Sequence, residues 1–108
     1  MTLALPHPVA AYFTADKEGG EAVARCFTAT AVVKDEGHAH HGRAAIRQWK
    51  TDVSTRYQYT SEPLACESKD GKVVVTCRLT GNFPGSPVSL RFIFGLEGDQ
   101  IASLEIVP

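Results

Sequence analysis

Asp35 and His38 lie where the sequence changes character, in the run Ala31 to Trp49 that reads AVVKDEGHAHHGRAAIRQW. Val32 and Val33 are β-branched and suit a buried strand, and Gly37 lets the chain turn. Ile46, Trp49 and Val53 then recur at helical spacing. Asp35 therefore stands at the end of a strand, at the mouth of whatever the strand and the helix enclose. Apolar walls around a carboxylate disfavour its charged form, raise its proton affinity and suit it to act as a general base. Trp49, Phe92, Phe94, Leu104 and Ile106 are the side chains expected to wall such a site. The other reading of Asp35 is a solvated carboxylate that caps a turn. Glu36 points the opposite way on an extended chain and reads as a surface charge.

His38, His40 and His41 invite a metal reading, with His38 and His40 sharing one side of an extended segment and Asp35 as a carboxylate ligand. Adjacent His40 and His41 diverge, however, and no further ligand motif follows, so no metal is expected. His38 reads instead as a hydrogen-bonding or proton-relaying group. Cys26, Cys66 and Cys77 are odd in number and have no CxxC spacing. They fit reduced, packed thiols and a cytoplasmic location rather than a disulfide framework or a thiolate zinc site.

The elements that must position these groups follow from periodicity. Val9, Tyr12, Phe13 and Asp16 make one face of a first helix entered through Pro8, and Val23, Cys26 and Phe27 mark a short second one. A third runs from Arg43 to Thr55. After Tyr57 the period falls to two: Val73, Val75, Cys77 and Leu79 alternate with polar residues, as do Val88, Leu90, Phe92, Phe94 and Leu96. Asp70-Gly71 and Gly98-Asp99 are hairpin signals. Helices followed by four antiparallel strands predict an α+β fold, with three N-terminal helices covering one face of the sheet.

At 108 residues the chain reads as a single domain, residues 1–108. Its 11 Lys plus Arg against 12 Asp plus Glu are scattered, which argues against a nucleic-acid partner. The start, MTLALPHPVAAYF, is interrupted by Pro6 and Pro8 with no basic segment before it, so neither a signal peptide nor a membrane span is expected. The outer sheet face would carry Thr76, Arg78, Thr80, Ser89, Arg91, Val74 and Ile93, a mixture suited to a homodimer contact.

The order of elements resembles the nuclear transport factor two-like fold, in its SnoaL-like polyketide cyclase and ketosteroid isomerase-like branch. The run ATAVVKD at residues 29–35, followed by Gly-Arg-Ala-Ala-Ile at residues 42–46, carries the resemblance. It implies a cone-shaped fold with a strongly curved antiparallel sheet and one apolar pocket per subunit. By the resemblance Asp35 falls at the isomerase's general base and Tyr12 near its oxyanion-donating tyrosine, while Phe92 replaces the second carboxylate. From its position alone Tyr12 is equally a core residue. The expected function is a cofactor-independent isomerase- or cyclase-like enzyme on a compact hydrophobic molecule, with Asp35, His38 and Tyr12 as the catalytic set. The alternatives are a non-catalytic small-molecule-binding protein and a dimeric interaction module.

Overall fold

A computed structural model describes residues 3–108. Three helices, α1 (His7–Ala15), α2 (Gly20–Arg25) and α3 (Gly42–Arg56), lie against a six-stranded sheet. Its strands are β1 (Phe27–Asp35), β2 (His38–His41), β3 (Tyr59–Lys69), β4 (Lys72–Gly81), β5 (Val88–Glu97) and β6 (Gln100–Val107), in the order β2-β1-β6-β5-β4-β3. The α+β expectation holds, and β3 to β6 form the meander that the period of two foretold. At the tips of the β1–β2 and β3–β4 hairpins, Glu36-Gly37 and Asp70-Gly71 take positive φ at both positions. That double left-handed turn matches the twist of the flanking strands.

Two expectations need correction. The sheet is not wholly antiparallel, because β1 runs parallel to β6, with Val33 beside Leu104. This pairing joins segments distant in the chain and leaves no local mark on either. Phe27 is not the last residue of α2 but the first of β1, fully buried and beside Ile101. The β-branched residues that follow it favour the strand. Its carbonyl accepts from Arg43 Nε at 2.9 Å, and the Ile101 N–H donates to the Cys26 carbonyl at 2.9 Å, so the join between helix and strand is held from two sides.

The core occupies one half of the concave sheet face. Val9, Tyr12 and Phe13 of α1 meet Phe27, Phe92 and Phe94, and the Tyr12 and Phe94 rings lie edge to face at 5.5 Å between centroids. Burying a side chain such as Phe94 or Leu104 contributes about 1.5–3 kcal/mol. On the other face Val74, Thr76 and Ile93 are half-buried, and Arg78, Ser89 and Arg91 are exposed, as alternation requires.

Gly81 sits opposite Tyr59 in the β3–β4 ladder, where a Cβ would collide with the Gln58 carbonyl and the Tyr59 backbone. Gly81→Ala is therefore expected to cost about 1–3 kcal/mol, the range for overpacking. Urea unfolding checks this, and an unchanged midpoint would refute the close approach.

Candidate functional site

Where the α1 end of the core gives out, the concave face opens into a cavity of about 430 Å³. That volume suits a compact ligand. The inward alternation of the strands continues into it, so that β4 and β5 pass from packed core at Val75 and Phe94 to cavity wall at Leu79, Leu90 and Val88. Helix α3 closes it with Trp49, Lys50 and Val53, and Phe83 to Gly85 rim it from the β4–β5 loop.

Asp35 faces this cavity. It follows Ala31 and Val33 on the buried side of β1 and accepts a hydrogen bond from Trp49 Nε1 at 3.1 Å. Among the described residues no cation pairs with it. Glu36, in the turn that follows, stands exposed at the cavity's edge and lies 3.8 Å from Arg56.

The walls expected from sequence divide. Trp49, Phe92 and Ile106 line the cavity, whereas Phe94 and Leu104 are packed behind it in the core. Each is one inward position away, on its strand, from a residue that lines it: Phe94 after Phe92 and Leu104 before Ile106. Tyr12 is fully buried among aromatic rings, and its hydroxyl has no hydrogen-bond partner among the described residues. Burial raises its pKa, against the Lys50 ammonium that lowers it, and so keeps the phenol neutral. His38 is exposed on β2 and, with Lys34 and Glu105, borders a second depression that meets the cavity at Asp35 and Ile106. The chain thus brings Asp35 to the cavity but leaves Tyr12 behind its wall and His38 outside it. Among the described residues no three His, Cys, Asp or Glu side chains converge as metal ligands. The thiols are also poor nucleophiles: burial, with Asp16 adding to it, pushes Cys77 up to about 12.

Sequence reasoning missed the polar centre of the cavity. Lys50, 3% exposed, places Nζ 2.7 Å from Asp16 Oδ1 and donates to Tyr59 Oη at 3.0 Å. The Tyr59 hydroxyl donates onward to the same Asp16 oxygen at 3.3 Å. The ammonium also lies 4.5 Å from the Trp49 ring centroid. Desolvation alone would lower the Lys50 pKa, but Tyr12, Asp16 and Tyr59 around it outweigh that and raise it, so the group is a permanent cation. Burial likewise raises Tyr59. The signal was in the sequence: Asp16 ends the apolar face of α1, and Lys50 stands four residues after Ile46 on the apolar stripe of α3. A charge on each of two inward faces is best accommodated as a pair.

These shifts set a pH dependence. Lys50 has a raised folded pKa, so its contribution is complete below about pH 10.4, its unfolded pKa, and is lost as pH climbs through the folded value. Tyr12 and Tyr59, also raised, ionise more readily in the unfolded chain above about pH 10, which acts in the same direction. Burial raises the three thiols as well, so they ionise first in the unfolded chain, from about pH 8.5. Stability should be flat from pH 7 to about 8, begin to fall from about pH 8.5 and fall more steeply above about pH 10, with a smaller fall in Tyr12→Phe. Urea midpoints across that range check it, and constancy up to pH 11 would contradict it.

The comparisons agree with this architecture. A structure from Sinorhizobium meliloti, named a "putative polyketide cyclase", superposes with a TM-score of 0.89 at 39% identity, covering 94% of each chain. A Catenulispora acidiphila protein described as having a ketosteroid isomerase-like fold gives a TM-score of 0.84 at 18% identity, over 97% of this chain and 87% of that one. An NTF2-like protein from Cytophaga hutchinsonii gives 0.72 at 13% identity, over 98% and 90%. These last two show the fold alone. No curated protein matches the chain. The model of the SnoaL-like domain matches residues 9–104, and with that span and the helix-and-sheet architecture described above the chain belongs to the SnoaL-like family of the NTF2-like fold.

Proposed function

We propose that the protein is an isomerase- or cyclase-like enzyme that moves a proton on a compact, mostly apolar carbonyl compound, with Asp35 as general base. One observation carries this reading: Asp35 is an inward-facing carboxylate with no cationic partner among the described residues, in a cavity whose apolar walls include Trp49, Leu79, Leu90, Phe92 and Ile106. The similarity to the Sinorhizobium meliloti protein supports it. Asp35 removes a proton from a carbon next to a carbonyl, and the C–H electron pair passes into the carbonyl as an enolate. Return of the proton to another carbon isomerises the compound. Attack of the enolate carbon on a second carbonyl closes a ring, and the proton from Asp35 goes to the resulting alkoxide. The Trp49 indole N–H holds the carboxylate in one orientation, which reduces the cost of aligning it with the C–H bond.

The outer sheet face fits a second copy of the chain. Val74 and Ile93 are paired neighbours there, half-buried, and Thr76 lies beside Arg91. Light scattering is expected to return twice the chain mass, with Ile93→Asp shifting it to the monomer; a monomer at high concentration would remove this contact.

Asp35→Asn should slow proton exchange about 10²–10⁴-fold, the usual contribution of a general base. Ligand affinity should change far less, because the loss falls on the chemical step. Deuterium uptake from D2O into the central methylene of a panel of aryl β-diketones, followed by NMR, measures this. Undiminished uptake in the variant would remove Asp35 from the chemistry and leave a carrier of the same compounds.

A further inference from the structure

The cavity contains two hydrogen-bond donors that the protein itself does not use. An ammonium has three N–H donors. Lys50 gives one to Asp16 and one to Tyr59 and forms no third hydrogen bond among the described residues, the Tyr12 hydroxyl beside it being likewise without a partner. Ser61 is the second case. It follows Tyr59 by two positions on the inner face of β3 and lines the same cavity, and its Oγ is buried without a partner. An unpaired buried hydroxyl costs about 1–3 kcal/mol, a penalty that a bound acceptor would relieve.

We propose that Lys50 Nζ and Ser61 Oγ receive the substrate's carbonyl oxygen and stabilise it as it becomes an enolate. This inference rests on Asp35 as the base and names the other end of the same reaction. Charge arithmetic defines the substrate. Lys50 is balanced by Asp16, and Glu36 by Arg56, so Asp35 supplies the one unpaired charge among the ionised side chains that line the cavity. A ligand that arrives as an anion would add a second. A neutral carbonyl compound adds none, because its oxygen gains negative charge only as Asp35 loses its own. The substrate class is therefore an uncharged ketone or β-dicarbonyl compound rather than a carboxylate or phosphate. Tyr59 has a positioning role: its hydroxyl accepts a hydrogen bond from Lys50, donates one to Asp16, and so fixes the direction of the remaining N–H. Donors fixed in advance toward a developing oxyanion typically change rates by about 10²–10³-fold each.

A phenolate mimics the enolate, and the Asp35→Asn protein removes the charge that opposes it. At pH 6, 4-nitrophenol titrated with this protein should show a larger ionised fraction when bound than when free, read from its visible absorbance. It should also bind at least tenfold more tightly than 4-nitroanisole. Adding Ser61→Ala should weaken nitrophenol several-fold and leave nitroanisole unchanged. Adding Asp16→Leu with Lys50→Met, which removes both charges together so that neither is left buried alone, should abolish the preference for the ionised form. Equal affinity for the two probes, an unshifted ionised fraction, or no effect of Ser61→Ala would overturn the inference. The two readings fail separately. Deuterium uptake that survives Asp35→Asn discards the base and leaves the phenolate result standing, whereas Asp35-dependent uptake without phenolate preference discards the donor pair alone.

Discussion

The Lys50–Asp16 pair is the interaction on which the shape of the cavity depends. It joins the end of α1 to the middle of α3, and through the Tyr59 hydroxyl it reaches β3 at the far edge of the sheet. Each charge has lost most of its water, at a cost of several kcal/mol per ion, and only their mutual attraction with the added hydrogen bonds offsets this. Removing either partner alone would leave an uncompensated buried charge, typically worth about 3–5 kcal/mol. Asp16 is also an acid at the C-cap of α1, where the helix dipole disfavours negative charge, so Lys50 opposes that effect too. Replacing both by an apolar pair of equal volume is often neutral or stabilising, so the pair is costly to break rather than a large net source of stability.

The division of the concave face into core and cavity follows from helix length. Helix α1 has nine residues and covers only the part of the sheet around Phe92 and Phe94. The inward alternation of β4 and β5 continues beyond its reach, and those side chains face α3 across the cavity instead of packing against α1. One periodic pattern therefore yields both a dry core and an apolar wall. This is why sequence could list the inward residues without separating Phe94 and Leu104, which pack, from Leu79, Val88 and Leu90, which line the cavity.

Much of the fold was legible because its signals are local. The change from a period of 3.6 to 2 after Tyr57, the Asp70-Gly71 turn and the stripe Ile46, Trp49 and Val53 each depend on residues a few positions apart. What escaped depends on distant parts of the chain. The β1–β6 pairing needs the last strand to return beside the first, and Phe27 joins β1 because Ile101 waits for it there. Asp35 was identified, but its inward direction depended on the strand register, since a shift of one residue would have turned it to the other face. Tyr12 stood equally for core and site until the ring cluster around it placed it in the core. Lys50 stood on the apolar stripe of α3 but was passed over, because a lysine on a helix is ordinarily solvated and its partner lies at the end of another helix.

Of the carboxylates that line the cavity, Asp16 and Asp35 stand in different surroundings, and the difference assigns their roles. Asp16 accepts from an ammonium and a phenol, so its charge is engaged by groups that do not move. Asp35 accepts from a single neutral N–H, and its other oxygen has no hydrogen-bond partner among the described residues. A carboxylate held by a permanent cation can orient neighbours but gains little by taking a proton, because protonation would strand the ammonium. A carboxylate held by one indole N–H keeps that hydrogen bond in either protonation state and can exchange a proton without dismantling its surroundings. Trp49 and Lys50 are consecutive residues of α3, so one turn of one helix orients the free carboxylate and neutralises the bound one.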